Sequence, residues 1–214
     1  MADYLLNALV TLLVTIDPIG LAPIFLALTS GMTAGQRRDV ALRAAIIAGL
    51  VLFVFAIAGE GVLTLLGISI PAFRIAGGLL LFWIAFEMVF ERRDGRKKKS
   101  AEKALAEDQA LGIEDVRHIA VFPLAIPLIS GPGAISATIL LAASAPTFVE
   151  LVLLLVIIAL LIATCVLVFL GANRLDRLLG DTGRTVLTRL LGVLLAALSV
   201  QFVADGVRAF VVAS

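Results

Sequence analysis

Cysteine, histidine, tryptophan and tyrosine occur once each among these 214 residues. The single cysteine, Cys165, excludes a disulfide within the chain and a cysteine-built metal cluster. With His118 as the sole histidine, a Ser–His hydrolase is hard to assemble. No H-E-x-x-H, G-x-S-x-G or phosphate-loop pattern occurs. No enzyme activity, metal or cofactor is therefore expected. Charge is also scarce: Asp, Glu, Lys and Arg make up 15% of the chain, against roughly 25% in soluble domains. That poverty excludes a nucleic-acid binder and a disordered chain. No Lys or Arg precedes Arg37, so the basic start of a secretory signal is missing and the first apolar run reads as a retained span.

Hydrophobic residues are abundant instead, at 61% against roughly 45–50% in soluble domains. Mean hydropathy is +1.13. Six apolar runs account for it, at about 4–29, 40–66, 71–90, 119–143, 148–171 and 186–210. Each is long enough to cross a bilayer as a helix, which needs about 20 residues. None alternates as a barrel strand must. The expected fold is all-α, a polytopic membrane protein with six transmembrane helices.

Basic residues are sorted along the chain. Fifteen of the 17 fall after spans one, three and five, including Arg92, Arg93, Arg96, Lys97, Lys98, Lys99 and Lys103 after span three. Only Arg74 and Arg208 fall on the other side. The positive-inside rule makes the crowded side cytoplasmic. The expectation is a multi-pass membrane protein with both termini outside and the loop 91–117 cytoplasmic. Within that loop, 101–110 reads as a short surface helix. The run Arg92–Lys99 reads either as a contact for anionic lipid or, in the favoured reading, only as a topology determinant in a loop that links the two halves.

The two halves resemble each other at offsets of 113 to 115 residues. Asp17-Pro18-Ile19-Gly20 falls opposite Gly131-Pro132-Gly133-Ala134, Leu65-Leu66-Gly67 opposite Leu178-Leu179-Gly180, and Arg74-Ile75-Ala76-Gly77 opposite Arg189-Leu190-Leu191-Gly192. Each half holds three spans, so the second inserts inverted. Residues 1–90 form the first three-helix repeat, 91–117 the loop and 118–214 the second, inverted repeat, within one membrane domain. Inverted repeats of this kind are common in secondary transporters, with the site at the midplane between them.

Spans one and four are expected to break near their centres. Pro18 frees the carbonyl of Val14, and Pro132 that of Leu128. Asp17 is a good N-cap ahead of Pro18, and Ser130 or Gly131 takes that place ahead of Pro132. Each break then starts a new half-helix whose electropositive end suits a carboxylate. Gly20, Gly131 and Gly133 leave room for a ligand, while Thr15, Ser130, Ser136 and Thr138 offer hydroxyls. A carboxylate at mid-bilayer costs several kcal/mol unless paired or protonated. Asp17 therefore reads either as a ligand for a substrate ammonium, proton or sodium ion, or as a helix cap only. Elsewhere, Glu60 and Arg74 read as a structural pair or an outer gate. Asp205 and Arg208 read as a pair, Glu87 as a snorkelling residue, and Gly77 and Gly78 as close-packing positions.

D-P-I-G-L-A-P-I-F-L-A-L-T (17–29), F-R-I-A-G-G-L-L-L-F (73–82), P-L-A-I-P-L-I-S-G-P-G-A-I (123–135) and R-L-L-G-V-L-L-A-A-L-S-V-Q-F-V-A-D-G (189–206) resemble motifs of the MarC family of bacterial inner-membrane proteins. The resemblance implies six spans and a relation to LysE-like exporters. It also implies a candidate site at Asp17, Pro18, Gly20, Gly131, Pro132 and Gly133, and for some relatives transport of glycine or alanine. Joined to the residue reading, it leads to a proton-coupled secondary transporter of a small zwitterionic amino acid. A channel or exporter for another small solute or ion, and a non-transporting scaffold or stress component, are the rivals. The lipid bilayer is the expected partner, nucleic acid is not, and a homodimer through Gly-rich faces is left open.

Overall fold

The computed structural model describes residues 1–93, 95–99, 103 and 119–213, and among them no strand occurs. The helices are α1 (Ala2–Ile16), α2 (Pro18–Leu28), α3 (Ala34–Leu65), α4 (Ile70–Val89), α5 (Ala120–Ile129), α6 (Pro132–Ala143), α7 (Phe148–Leu170) and α8 (Ala172–Ala213). Residues 92–93 and 95–99 are helical as well. By length and apolarity, the described helices supply five spans, or six when the bent pair α5–α6 counts as one. This is the all-α polytopic architecture expected of the six apolar runs. The surface helix expected over 101–110 lies, Lys103 apart, outside the described residues, as does His118.

Local chemistry sets the ends. Thr33 and Gln36 form a capping box that starts α3 six residues ahead of the apolar run, so Arg37 and Arg38 sit in helix rather than loop. Ser69 caps α4, accepting from the Ala72 N–H at 3.3 Å, and Thr147 caps α7 through the Val149 N–H at 3.2 Å. The stretch before the sixth apolar run is likewise helical. α8 begins at Ala172 and is interrupted only where Gly180 adopts φ 59°, a conformation open to glycine.

Span one is the central element. The most apolar window of Ala2–Leu28 is 67% buried, against 22% for Phe148–Leu170. Phe25 of α2 stacks on Phe169 of α7 with ring centroids 4.6 Å apart. Outward-facing Leu50, Leu65, Leu160 and Leu167 form the apolar belt that lipid covers. α4 packs along α8, and α3 against α7. Span one lies against α7 and α8, while α5–α6 lies against α3 and α4. Exchanging the first three spans for the last three maps these main contacts onto themselves.

Glycines bring α4 and α8 together. A Cβ on Gly78 would stand 3.0 Å from the Ser199 carbonyl oxygen, and one on Gly206 3.0 Å from the Ile75 nitrogen. Backbone cannot yield there as a side-chain tip can. Gly78→Leu is expected to lower stability by about 1–3 kcal/mol through overpacking. Gly61→Leu, whose Cβ meets nothing within 4 Å, is expected to be neutral. Thermal unfolding in detergent, followed by circular dichroism, separates the two.

Candidate functional site

The first break is built around one residue. Asp17 adopts the left-handed region (φ 57°, ψ 65°), and its N–H donates to Leu13 O at 2.9 Å, closing α1. Its Oδ1 accepts from the Gly20 N–H at 3.0 Å, capping α2. A side chain on Gly20 would run into that carboxylate, which explains the glycine. At about 1.5 Å per residue, Asp17 lies about 22 Å from the start of α1 and about 17 Å from the end of α2. The carbonyl that Pro18 deprives of a partner is satisfied by Arg93, whose Nη1 donates to Val14 O at 3.0 Å. Its Nη2 donates to Thr15 O at 2.5 Å, so one planar guanidinium serves two successive carbonyls.

Two cations face the outer oxygen of Asp17. Lys97 Nζ is 3.2 Å from Oδ2 and Arg93 Nη1 is 3.9 Å away. The side chains of Asp17, Arg93 and Lys97 are 3%, 5% and 10% exposed. Burial this deep is tolerable for ions only in pairs with further hydrogen bonds. These cations arrive because the chain doubles back after α4. Glu91 takes φ 58°, and the helical residues that follow place Arg93, Arg96 and Lys97 on one face, three and four apart. Arg96 pairs with buried Glu87 at 2.7 Å, and exposed Glu91 with Arg189 at 2.7 Å.

The second break is proline-rich. Pro123 and Pro127 follow Phe122 and Ile126, both extended, through cis peptide bonds. The Ser130 N–H and hydroxyl both donate to Ala125 O, at 2.9 and 2.8 Å. Gly131 is the N-cap of α6 and Pro132 its first residue; α5 and α6 meet at 56°. A Cβ on Gly131 would strike the Pro127 carbonyl, and one on Gly133 would strike Ile84. No described side chain caps α6.

Both broken spans contribute to the lining of one cavity of about 250 Å³. Thr15 contributes from α1, Leu80, Trp83 and Ile84 from α4, and Gly131 through Ala134 from the start of α6. Arg93, Arg96 and Lys97 line it too. The cavity therefore lies beside the second half of α4. Three cationic side chains and the electropositive end of α6 make it a place for an anionic group.

Of the residues expected to bind, Thr15, Gly131, Pro132 and Gly133 line this cavity. Asp17 stands behind it, linked through Lys97 and Arg93. Pro18 and Gly20 are buried in the first turn of α2, Ser130 is buried at the end of α5, and Ser136 is half-buried; none of the four lines it. Among the described residues the buried Thr138 hydroxyl has no hydrogen-bond partner, and it also lies off the cavity. Glu60 and Arg74 do not pair: Glu60 is exposed, and Arg74 donates to Ser144 Oγ at 2.9 Å. Depth in the membrane brings residues to one level but does not set which way a helix turns them. Asp205 accepts from Gln201 at 2.9 Å rather than pairing with Arg208, and Glu87 is buried against Arg96 rather than snorkelling.

Arg93, Arg96 and Lys97 were absent from the expected site. A signal for them existed in the sequence. Val14 needed a donor, Asp17 needed a countercharge, and these three share a helical face directly after span three.

A family model described as MarC family integral membrane protein matches residues 2–211. The chain belongs to the MarC family. Among its MarC relatives, the UPF0056 membrane protein of Archaeoglobus fulgidus is 38% identical, over 95% of this chain and 92% of its own. YhcE of Escherichia coli is 37% identical over 90% and 86%, and YvbG of Bacillus subtilis 33% over 97% and 96%. No solved structure matches.

In this MarC-family chain Arg93 holds the first break. Arg93→Met would strip two buried carbonyls and Asp17 of their partner, and is expected to destabilise by about 3 kcal/mol. Arg93→Lys is expected to recover only part, since an ammonium lacks the fork that serves both carbonyls. Unfolding of the purified variants in detergent measures this.

Proposed function

We propose that this protein is a secondary transporter of small neutral amino acids of the glycine and alanine kind, coupled to protons through Asp17. The observation that carries the reading is the meeting of both broken spans on one cavity whose lining is cationic, with the buried carboxylate of Asp17 behind that lining. A substrate carboxylate fits against the start of α6 and Arg96, and its ammonium faces Asp17. A volume of about 250 Å³ suits a small solute, below the 300–1,000 Å³ usual for drug-sized ligands. The exchange pattern of helix contacts supports inverted repeats and a rocking of one half against the other. The basic bias of the sequence supports a cytoplasmic loop 91–117, termini outside and residence in the inner membrane.

A second reading, an exporter or channel for a small anion, is favoured by the excess of positive charge on the lining. Reconstituted proteoliposomes with labelled glycine or alanine, with and without a pH gradient, decide between them. The expected result is saturable, gradient-dependent uptake that Asp17→Asn abolishes; Asn can still cap α2, and circular dichroism of the purified variant checks that it folds although Arg93 and Lys97 lose their countercharge. Uptake no greater than in empty liposomes, or an unsaturating anion current, overturns the amino-acid reading. Unchanged uptake by Asp17→Asn removes Asp17 from the coupling.

A further inference from the structure

We propose that the cavity opens sideways to the bilayer between α4 and α5, and that it holds the headgroup of an anionic phospholipid from the leaflet on the protein's basic side. The inference goes beyond the amino-acid reading and does not rest on it. Trp83 lines the cavity yet is 54% exposed. It belongs to an outward-facing aromatic row on α4. Its ring lies 6.1 Å from that of Phe86, Phe86 lies 4.4 Å from Phe90, and both phenylalanines are exposed. Across the mouth stand Pro127 of α5 and Pro132 of α6, exposed residues that also line the cavity. Phe122 and Ile126 of α5 are exposed beside them. Among the described residues α4 packs against α6 but makes almost no contact with α5. The mouth is therefore rimmed by groups that face hydrocarbon.

The interior has the opposite character. Pro132 has no N–H, so the first donors of α6 without an intrahelical acceptor are those of Gly133 and Ala134. Both residues are buried and line the cavity, and no described side chain caps them. Arg93 and Lys97 keep their partners and add only positive potential. Arg96 is the cation at the mouth: its side chain is 54% exposed, and its Nη2 meets Glu87 Oε2 at 2.7 Å. A guanidinium offers several N–H donors in a planar fork. Arg96 can thus hold Glu87 and still present donors to a phosphate.

An apolar rim, a polar floor and a cation where they meet complement a phospholipid. A cavity of about 250 Å³ admits a headgroup while the acyl chains stay outside. The phosphodiester accepts from Arg96, and the oxygens of a glycerol headgroup accept from Gly133 and Ala134. The chains leave past Trp83, which lies about 9 Å from the end of α4. A soluble anion gains nothing from the rim. A choline headgroup brings a cation that Arg96 and the start of α6 repel.

Trp83, the chain's sole tryptophan, reports from the mouth. Full-length protein is reconstituted in phosphatidylcholine vesicles that carry increasing fractions of either phosphatidylglycerol or phosphatidylcholine with brominated acyl chains. Bromine quenches the indole on contact. The glycerol lipid is expected to reach half-maximal quenching at a mole fraction about tenfold lower than the choline lipid. Arg96→Gln is expected to erase that preference. Because it strands buried Glu87, the double variant Glu87→Gln with Arg96→Gln is measured beside it. Arg92→Gln and Lys99→Gln, at exposed residues off the cavity, are expected to keep the preference. Equal quenching by both lipids in the wild type overturns the proposal. Survival of the preference in the double variant, or its loss in Arg92→Gln or Lys99→Gln, also overturns it, since the lipid is then held by surface charge. Inorganic phosphate is expected to leave the quenching unchanged; relief by phosphate overturns the part given to the rim. Amino-acid uptake is not read in this assay, so its failure and that of the transport reading are told apart.

Discussion

A proline deep in an apolar helix leaves a carbonyl with nothing to bond, and hydrocarbon offers no water to repair the loss. In this protein the repair at Val14 comes from Arg93, and the rest of the site follows from it. A buried guanidinium needs a countercharge, and Asp17 stands close by. Asp17 must also close α1, where its backbone takes the left-handed region, and cap α2 with its carboxylate, which makes Gly20 necessary beside it. To bring Arg93 in, the chain must turn back after α4, and that turn carries Arg96 and Lys97 along the same face. A defect in one hydrogen-bond ladder thereby assembles the positive wall of the cavity.

The spans were legible because a bilayer asks for about twenty apolar residues and little else. The breaks were legible because proline chemistry is local: Asp17-Pro18 and Gly131-Pro132 end and restart helices wherever they stand. The cations were not, because a basic loop after an odd-numbered span already has an explanation in topology. Nothing in composition separates an arginine that fixes orientation from one that folds inward. The Glu60–Arg74 pair failed differently. Both residues lie at one end of adjoining spans, but rotation about the helix axes turns Arg74 toward Ser144 and leaves Glu60 exposed.

The two halves meet in unlike ways. α4 and α8 approach backbone to backbone at Gly78 and Gly206, a contact that resists sliding. The broken spans meet across a cavity whose ion pairs tie span one to the segment after α4, while the Tyr4 hydroxyl donates to the Leu141 carbonyl between the two spans. If the halves move against each other, the compliant seam is the one that holds the charges, and the glycine seam is the natural pivot.

Span one also raises a question of timing. Val14 and the arginine that satisfies it lie 79 residues apart in sequence. At about 5–20 residues per second, a ribosome makes the interrupted helix roughly 4–16 s before its partner exists. Span one is nonetheless 67% buried over its most apolar window. During that interval its open carbonyls and its carboxylate need shelter from bare lipid. A protein-lined insertion channel, rather than spontaneous entry into the bilayer, is the route to the membrane that such a helix demands.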